Sequence, residues 1–221
     1  MRYFFILLAG LWAGLVRADE QIAVCYNYGC GAQADVLFTD ARLRSIVAPL
    51  RGATSAAEER QILARVIGDL YAWAGEQSPI HADRGGNYAD AGVSGRMDCI
   101  DHSTTTDRFL RMLEQRGWLN WHRVVAKERR VRVILFQHFS AVIEELPEPR
   151  SGLLLPRVPD YVPVMLAACD CQDVVNDIPR RAVSGEAGAR FVVDSWFVDN
   201  GKPAAILPLD EWMDGGGPDV E

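Results

Sequence analysis

Three short segments carry residue types able to do chemistry together. Gly95-Arg96-Met97-Asp98-Cys99-Ile100-Asp101-His102-Ser103 offers a thiol at a helix start. Phe136-Gln137-His138-Phe139-Ser140-Ala141-Val142 offers an imidazole on a strand. Phe191-Val192-Val193-Asp194-Ser195-Trp196-Phe197 offers a carboxylate on a second strand. Nucleophile, base and a group that orients the base are the equipment of nucleophilic acyl chemistry. A thiol reacts as its thiolate, and a helix N-terminus favours that form by setting positive dipole charge beside it. Free backbone N–H groups there can hold a developing oxyanion. Asp98 and Asp101 act in the opposite direction, because negative charge favours the neutral thiol. Cys99 therefore needs a cationic partner.

His138 is the first candidate for that partner. On a strand, Phe136, His138, Ser140 and Val142 share one face, and Gln137, Phe139, Ala141 and Ile143 the other. Both faces are comparably apolar, so the strand is expected to be covered on each side. A buried histidine or carboxylate needs hydrogen-bond partners, and His138 with Asp194 would satisfy each other. The structural alternative is a satisfied core histidine. His102, three residues after Cys99 on the same helix, is the competing base, though it has no strand-borne acid to orient it. His81 falls in a loop, and His122 beside Trp118 and Trp121 reads as packing. No His-x3-His or His/Cys metal spacing is present, so neither a metal nor a cofactor is assigned.

The elements that must position these groups follow from pattern. Ile22 to Tyr28 reads as an edge strand, and Asp40 to Leu50 as a helix capped by Thr39. Ser55 and Glu58 form a capping-box signature. Behind it, Ile62, Leu63, Val66, Ile67, Leu70, Tyr71 and Ala74 repeat at helical spacing, which predicts a core helix to about Gly75. Residues 76–95 read as a long glycine-rich loop, and loops of that length in compact domains usually serve function. Asn87 and Tyr88 in it are candidates to line a cleft or to donate to an oxyanion. Asp98 is expected to cap a helix that opens at Cys99, ends at Arg116 and has Gly117 as its C′ residue. The period then changes. Arg123–Val125, Arg130–Phe136 continuing through Gln137–Ile143, and Phe191–Val198 read as strands, and Ile206–Trp212 closes the domain. Helices first and strands later, without βαβ alternation, predict an α+β fold with N-terminal helices packed on an antiparallel sheet.

The chain ends set the compartment. Arg2, the apolar run Tyr3 to Val16 and the small residues of Val16-Arg17-Ala18 predict a signal peptide over 1–18, cleaved after Ala18, and thus a periplasmic or secreted protein. Residues 19–213 are expected to form one domain. They carry an insertion at about 147–188, rich in proline, and are followed by a disordered tail over 214–221. Without Arg2 and Arg17 the chain holds 21 basic and 30 acidic residues, a net charge of −9. Such a chain is a poor ligand for nucleic acid or an anionic membrane. Five cysteines remain: Cys25, Cys30, Cys99, Cys169 and Cys171. Cys25 and Cys30 could close a small loop, whereas Cys169-Asp170-Cys171 is too tight for an easy internal bridge. Bridges between the two pairs are equally open, and three connectivities exist for four cysteines. Under any of them the leftover thiol is most economically Cys99.

The order Cys, His, Asp, with the cysteine opening a helix and the other two on successive strands, resembles the transglutaminase-like branch of the papain-like cysteine enzymes. Gly95-Arg96-Met97-Asp98-Cys99 is similar to that family's helix start. His138-Phe139-Ser140-Ala141-Val142 is similar to its histidine strand, and Val193-Asp194-Ser195-Trp196 to its acid strand. The resemblance runs from about residue 60 to 212. It implies Cys99 as nucleophile, His138 as general base and acid, and Asp194 as orienter, acting on an amide of a peptide or protein through a thioester. One departure is the separation of 56 positions between His138 and Asp194, far longer than the usual hairpin. The family also holds members that have lost activity. The competing expectation is therefore an inactive binding module whose Cys99 is structural or disulfide-bonded.

Overall fold

A computed structural model describes residues 18–132, 136–150 and 188–218. Residues 1–17, where a signal peptide is expected, residues 133–135, most of the expected 147–188 insertion with Cys169 and Cys171, and the last three residues lie outside the described residues. The chain opens with an antiparallel ribbon, β1 (Glu20–Tyr26) on β2 (Ala32–Phe38). Helices α1 (Asp40–Val47), α2 (Ala56–Gln77) and α3 (Cys99–Gln115) follow. Then come β3 (His122–Val124), β4 (Glu128–Arg132), β5 (Phe136–Glu145), β6 (Arg190–Asp194), β7 (Ala205–Pro208) and the short α4 (Leu209–Met213). The second sheet has the order β3-β5-β6-β7, with β4 paired along the other half of β5. Among the described residues every pairing is antiparallel. The architecture is α+β with the helices preceding the main sheet.

Alternation along β5 and β6 divides the core in two. Ala141, Ile143 and Val193 face the helices and join Leu63, Ile67, Leu70, Phe109, Leu110 and Leu113 in the main cluster. Val142 and Val192 point the other way, onto Trp212 of α4. The sheet is thus covered on both faces, as the apolar pattern of β5 requires. This places His138 and Asp194, which share the Val142 and Val192 faces, under aromatic cover.

Several boundaries differ from the pattern reading for identifiable reasons. Strand β2 is not anticipated, because Ala32-Gln33-Ala34-Asp35 is poor in strand formers. A turn at residues 27–31 folds it back on β1 regardless. Helix α1 stops at Val47 and tightens into a 3₁₀ turn over Ala48–Gly52, where Pro49 has no N–H to donate. Residues Arg130–Ile143 are not one strand: β4 and β5 form a hairpin in which Arg130 pairs with His138. Strand β6 ends at Asp194 rather than running to Val198. At the α2 start, Ser55 accepts the Glu58 N–H at 3.1 Å, but the Glu58 carboxylate goes to Thr54 rather than back to Ser55. The pattern reading starts a free tail at 214, whereas the structure fastens residues 214–217 to the body. The Gly216 N–H donates to Glu211 O, and Gly216 O accepts from Arg130.

The approach to Cys99 depends on one glycine. Gly95 has φ +87°, a left-handed conformation, and a Cβ there would lie 2.1 Å from the Pro79 carbonyl oxygen. Its N–H donates to Asn27 Oδ1 at 2.9 Å. Gly95→Ala is expected to cost about 2 kcal/mol or more in urea unfolding, from backbone strain plus the clash. A variant as stable as the wild type would show that the loop before Cys99 is not held in this conformation.

Candidate active site

Asp98 and Asp101 build the helix start reciprocally. Asp98 Oδ1 accepts the N–H groups of Ile100 and Asp101 at 3.0 and 2.9 Å, and Asp101 Oδ2 accepts the Asp98 N–H at 3.1 Å. This is the capping box that the pattern reading placed at α2 instead. It sets Cys99 at the first helical position. Among the described residues Cys99 is the free thiol.

The Cys25–Cys30 disulfide closes a loop over this helix start. Asn27, Tyr28, Gly29 and Cys30 all have φ between +59° and +65°, so their N–H groups converge on one side. Asp101 accepts from Tyr28 and Cys30 at 2.8 and 2.5 Å, and Asp98 Oδ2 from Gly29 at 2.9 Å. Of the open connectivities the structure takes the short loop, and a disulfide fits an oxidising extracellular or periplasmic setting. Cys25, Cys30 and Asp101 come within metal-binding distance of one another, but both sulfurs are committed to the disulfide. Among the described residues no helix is long and apolar enough to cross a membrane.

His138 and Asp194 are joined directly, with Nε2 2.7 Å from Oδ2. The carboxylate is buried and has two further donors. Trp212 Nε1–H reaches Oδ2 at 2.9 Å, and the Trp196 N–H reaches Oδ1 at 3.2 Å. The imidazole sits among the rings of Trp196, Phe197 and Trp212, at centroid distances of 4.8, 5.6 and 5.6 Å. These contacts fix the ring, and among the described residues Nδ1 has no hydrogen bond.

Cys99 and His138 line one cleft of about 150 Å³ with Gln137 and Trp196. The wall is completed by Tyr28, Asn87, Tyr88 and Asp98. The thiol is not hydrogen-bonded to His138; it donates to the Gln137 carbonyl at 3.8 Å. Burial pushes its pKa up to about 11, and the charges of Asp98 and Asp194 add to the rise. Burial first, and the acid charges after it, keep the thiol protonated, so it needs help to ionise near neutral pH. Asn87 lies in the wall, but its amide donates to Asp90 at 2.8 Å and its carbonyl oxygen accepts the Ala89 N–H. Tyr88 is 68% exposed, and its ring rests 4.8 Å from that of Trp196.

Tyr28 belongs to the cleft and was not singled out from sequence. Its hydroxyl donates to Asp90 Oδ1 at 2.5 Å, and burial followed by that hydrogen bond raises its pKa. The signal available was its position inside the Cys25–Cys30 loop. The other histidines lie apart. His102 turns inward to Asp83 and Ser195. His81 is exposed and contacts the Ser78 carbonyl. His122 is more than packing: its Nδ1 lies 2.8 Å from Glu59 Oε1 in a fully buried pair, and its Nε2 lies 3.1 Å from Arg60.

Chain, fold and cleft define an α+β protein with a thiol and an imidazole in one cleft, the imidazole held from behind by the buried Asp194. Comparison with known proteins finds no matching family model, no matching curated protein and no matching solved structure.

Asp101 gives the helix start a pH dependence. Burial, and secondarily the Asp98 charge, raises its carboxyl from the ordinary 3.8 to about 6 against the pull of its N–H donors. A raised acid contributes stability that is present below its unfolded pKa and lost as pH rises through the folded value. The stability of the wild type relative to Asp101→Asn is therefore expected to grow as pH falls from 7 to about 4.5, measured by urea unfolding. A difference independent of pH would mean that the three N–H donors outweigh burial.

Proposed function

We propose that this protein is an exported cysteine-dependent hydrolase or acyltransferase of the transglutaminase-like, papain-like type, acting on an amide of a peptide or protein. The observation that carries the reading is the His138–Asp194 pair. Asp194 holds Nε2, so the free Nδ1 is the nitrogen available to Cys99 across the shared cleft. In the reaction His138 Nδ1 takes the Sγ proton, and the thiolate adds to the amide carbon. The Cys99 N–H donates to the oxyanion. His138 then gives its proton to the leaving nitrogen as the C–N bond breaks, leaving a thioester on Cys99. Water or an amine, deprotonated by His138, then adds to the thioester carbon; the C–S bond breaks, the acyl group leaves as an acid or a new amide, and the proton on His138 returns to the Cys99 sulfur. Asp194 orients the ring and stabilises the imidazolium that forms.

The elevated thiol pKa makes this division of labour testable. Alkylation of Cys99 by iodoacetamide at pH 7, followed by mass spectrometry, should slow about a hundredfold in His138→Ala. A second reading is a binding module on the same scaffold. It is favoured by the thiol's contact with Gln137 rather than His138. Equal alkylation rates in wild type and His138→Ala would select that reading.

A further inference from the structure

The nucleophile and the acid lie on separate elements, so something must hold helix α3 against the end of β6 at the cleft. A buried polar chain makes this connection. Asp83 Oδ1 accepts the Met97 N–H at 2.9 Å, two residues before Cys99. Asp83 Oδ2 lies 3.0 Å from His102 Nε2, three residues after Cys99. His102 Nδ1 lies 2.8 Å from Ser195 Oγ, and Ser195 directly follows Asp194. One carboxylate and one imidazole therefore grip both flanks of the nucleophile and the flank of the acid. Asp83, His102 and Ser195 are 2, 3 and 4% exposed.

The chain is braced from behind. Ser195 Oγ also meets Thr106 Oγ1 at 3.0 Å, which meets the Tyr71 hydroxyl at 3.0 Å. Tyr71 donates to the His102 carbonyl at 3.1 Å, and its ring lies 5.6 Å from the imidazole. Both nitrogens of His102 are engaged and the ring is sealed from the cleft, so it has no free nitrogen for a substrate or for Cys99. A buried polar group costs stability unless paired, and once paired it admits few alternative geometries.

We propose that His102 is a positioning residue, with Asp83 and Ser195 as its partners, which sets the placement of Cys99 relative to His138 and Asp194 without touching either reactant. This inference rests on reading those three as the reacting set. It predicts that loosening the chain weakens the coupling of Cys99 to His138, because a displacement of ~1 Å at a reacting centre can cost about a hundredfold in rate. The loss should appear at neutral pH and vanish near pH 11, where the thiol ionises unaided.

The test is the pH profile of Cys99 alkylation by iodoacetamide in the full mature chain, for wild type, His102→Gln and Ser195→Ala. Ser195→Ala removes a single hydroxyl and keeps the test available where the histidine change unfolds the protein. His122→Gln, at the buried pair remote from the cleft, serves as the control for lost stability. The expected result is an about tenfold slower rate at pH 7 for His102→Gln and Ser195→Ala, converging on wild type at high pH, with His122→Gln following wild type throughout. Profiles of His102→Gln and Ser195→Ala that superimpose on wild type, while His138→Ala remains slow, would overturn the positioning role alone. A wild-type rate no faster than that of His138→Ala would overturn the functional reading and this inference with it.

Discussion

A carboxylate buried in a β-strand is costly unless it is paired, and Asp194 is paired three times over. His138, the Trp212 indole and the Trp196 N–H all converge on it. Much of the second half of the chain serves those bonds. The β5–β6 register, with Ala141 opposite Val193, brings His138 within reach. Helix α4 exists to deliver Trp212, which both donates to Asp194 and closes the apolar cluster over Val142 and Val192. Removing the histidine would leave a buried charge with neutral donors alone, so packing and chemistry lean on the same pair.

The helix start presents the opposite balance. Asp98 and Asp101 are excellent caps and hold the disulfide loop in place, yet burial at this helix start and the Asp98 charge disfavour the thiolate. Local architecture and reactivity therefore pull apart at Cys99, and the imidazole must make up the difference. This explains why the acids that secure α3 do not make the cysteine reactive by themselves. It also explains why the placement of α3 against β6 matters, since a cationic partner helps only at close range.

What was legible in the sequence was local. The apolar repeat of α2, the Asp98 cap of α3 and the two-sided apolar pattern of β5 all follow from spacing and residue type. What was not legible depends on distant partners. Strand β2 lacks strand formers and is imposed by its pairing with β1. The ring direction of His102 cannot be read from its three-residue offset to Cys99, because Asp83 and Ser195, far away in sequence, turn it inward. Tyr28 enters the cleft through hydrogen bonds between the disulfide loop and the acids of α3. Spacing pointed to Cys99, His138 and Asp194 as one set; only tertiary packing could show that the thiol rests on the Gln137 carbonyl while the histidine holds the acid.

The central claim is that His138, held by Asp194, takes the Cys99 proton as an electrophile approaches, so that the thiol reacts well below the pH of about 11 at which it ionises alone. The most direct measurement is the effect of D2O on the rate of Cys99 alkylation by iodoacetamide at neutral pH, in wild type and in His138→Ala. The account predicts a slower wild-type rate in D2O, because the proton moves to His138 as the C–S bond forms, and no slowing in His138→Ala, where only preformed thiolate reacts. A wild-type rate that D2O does not slow would contradict it.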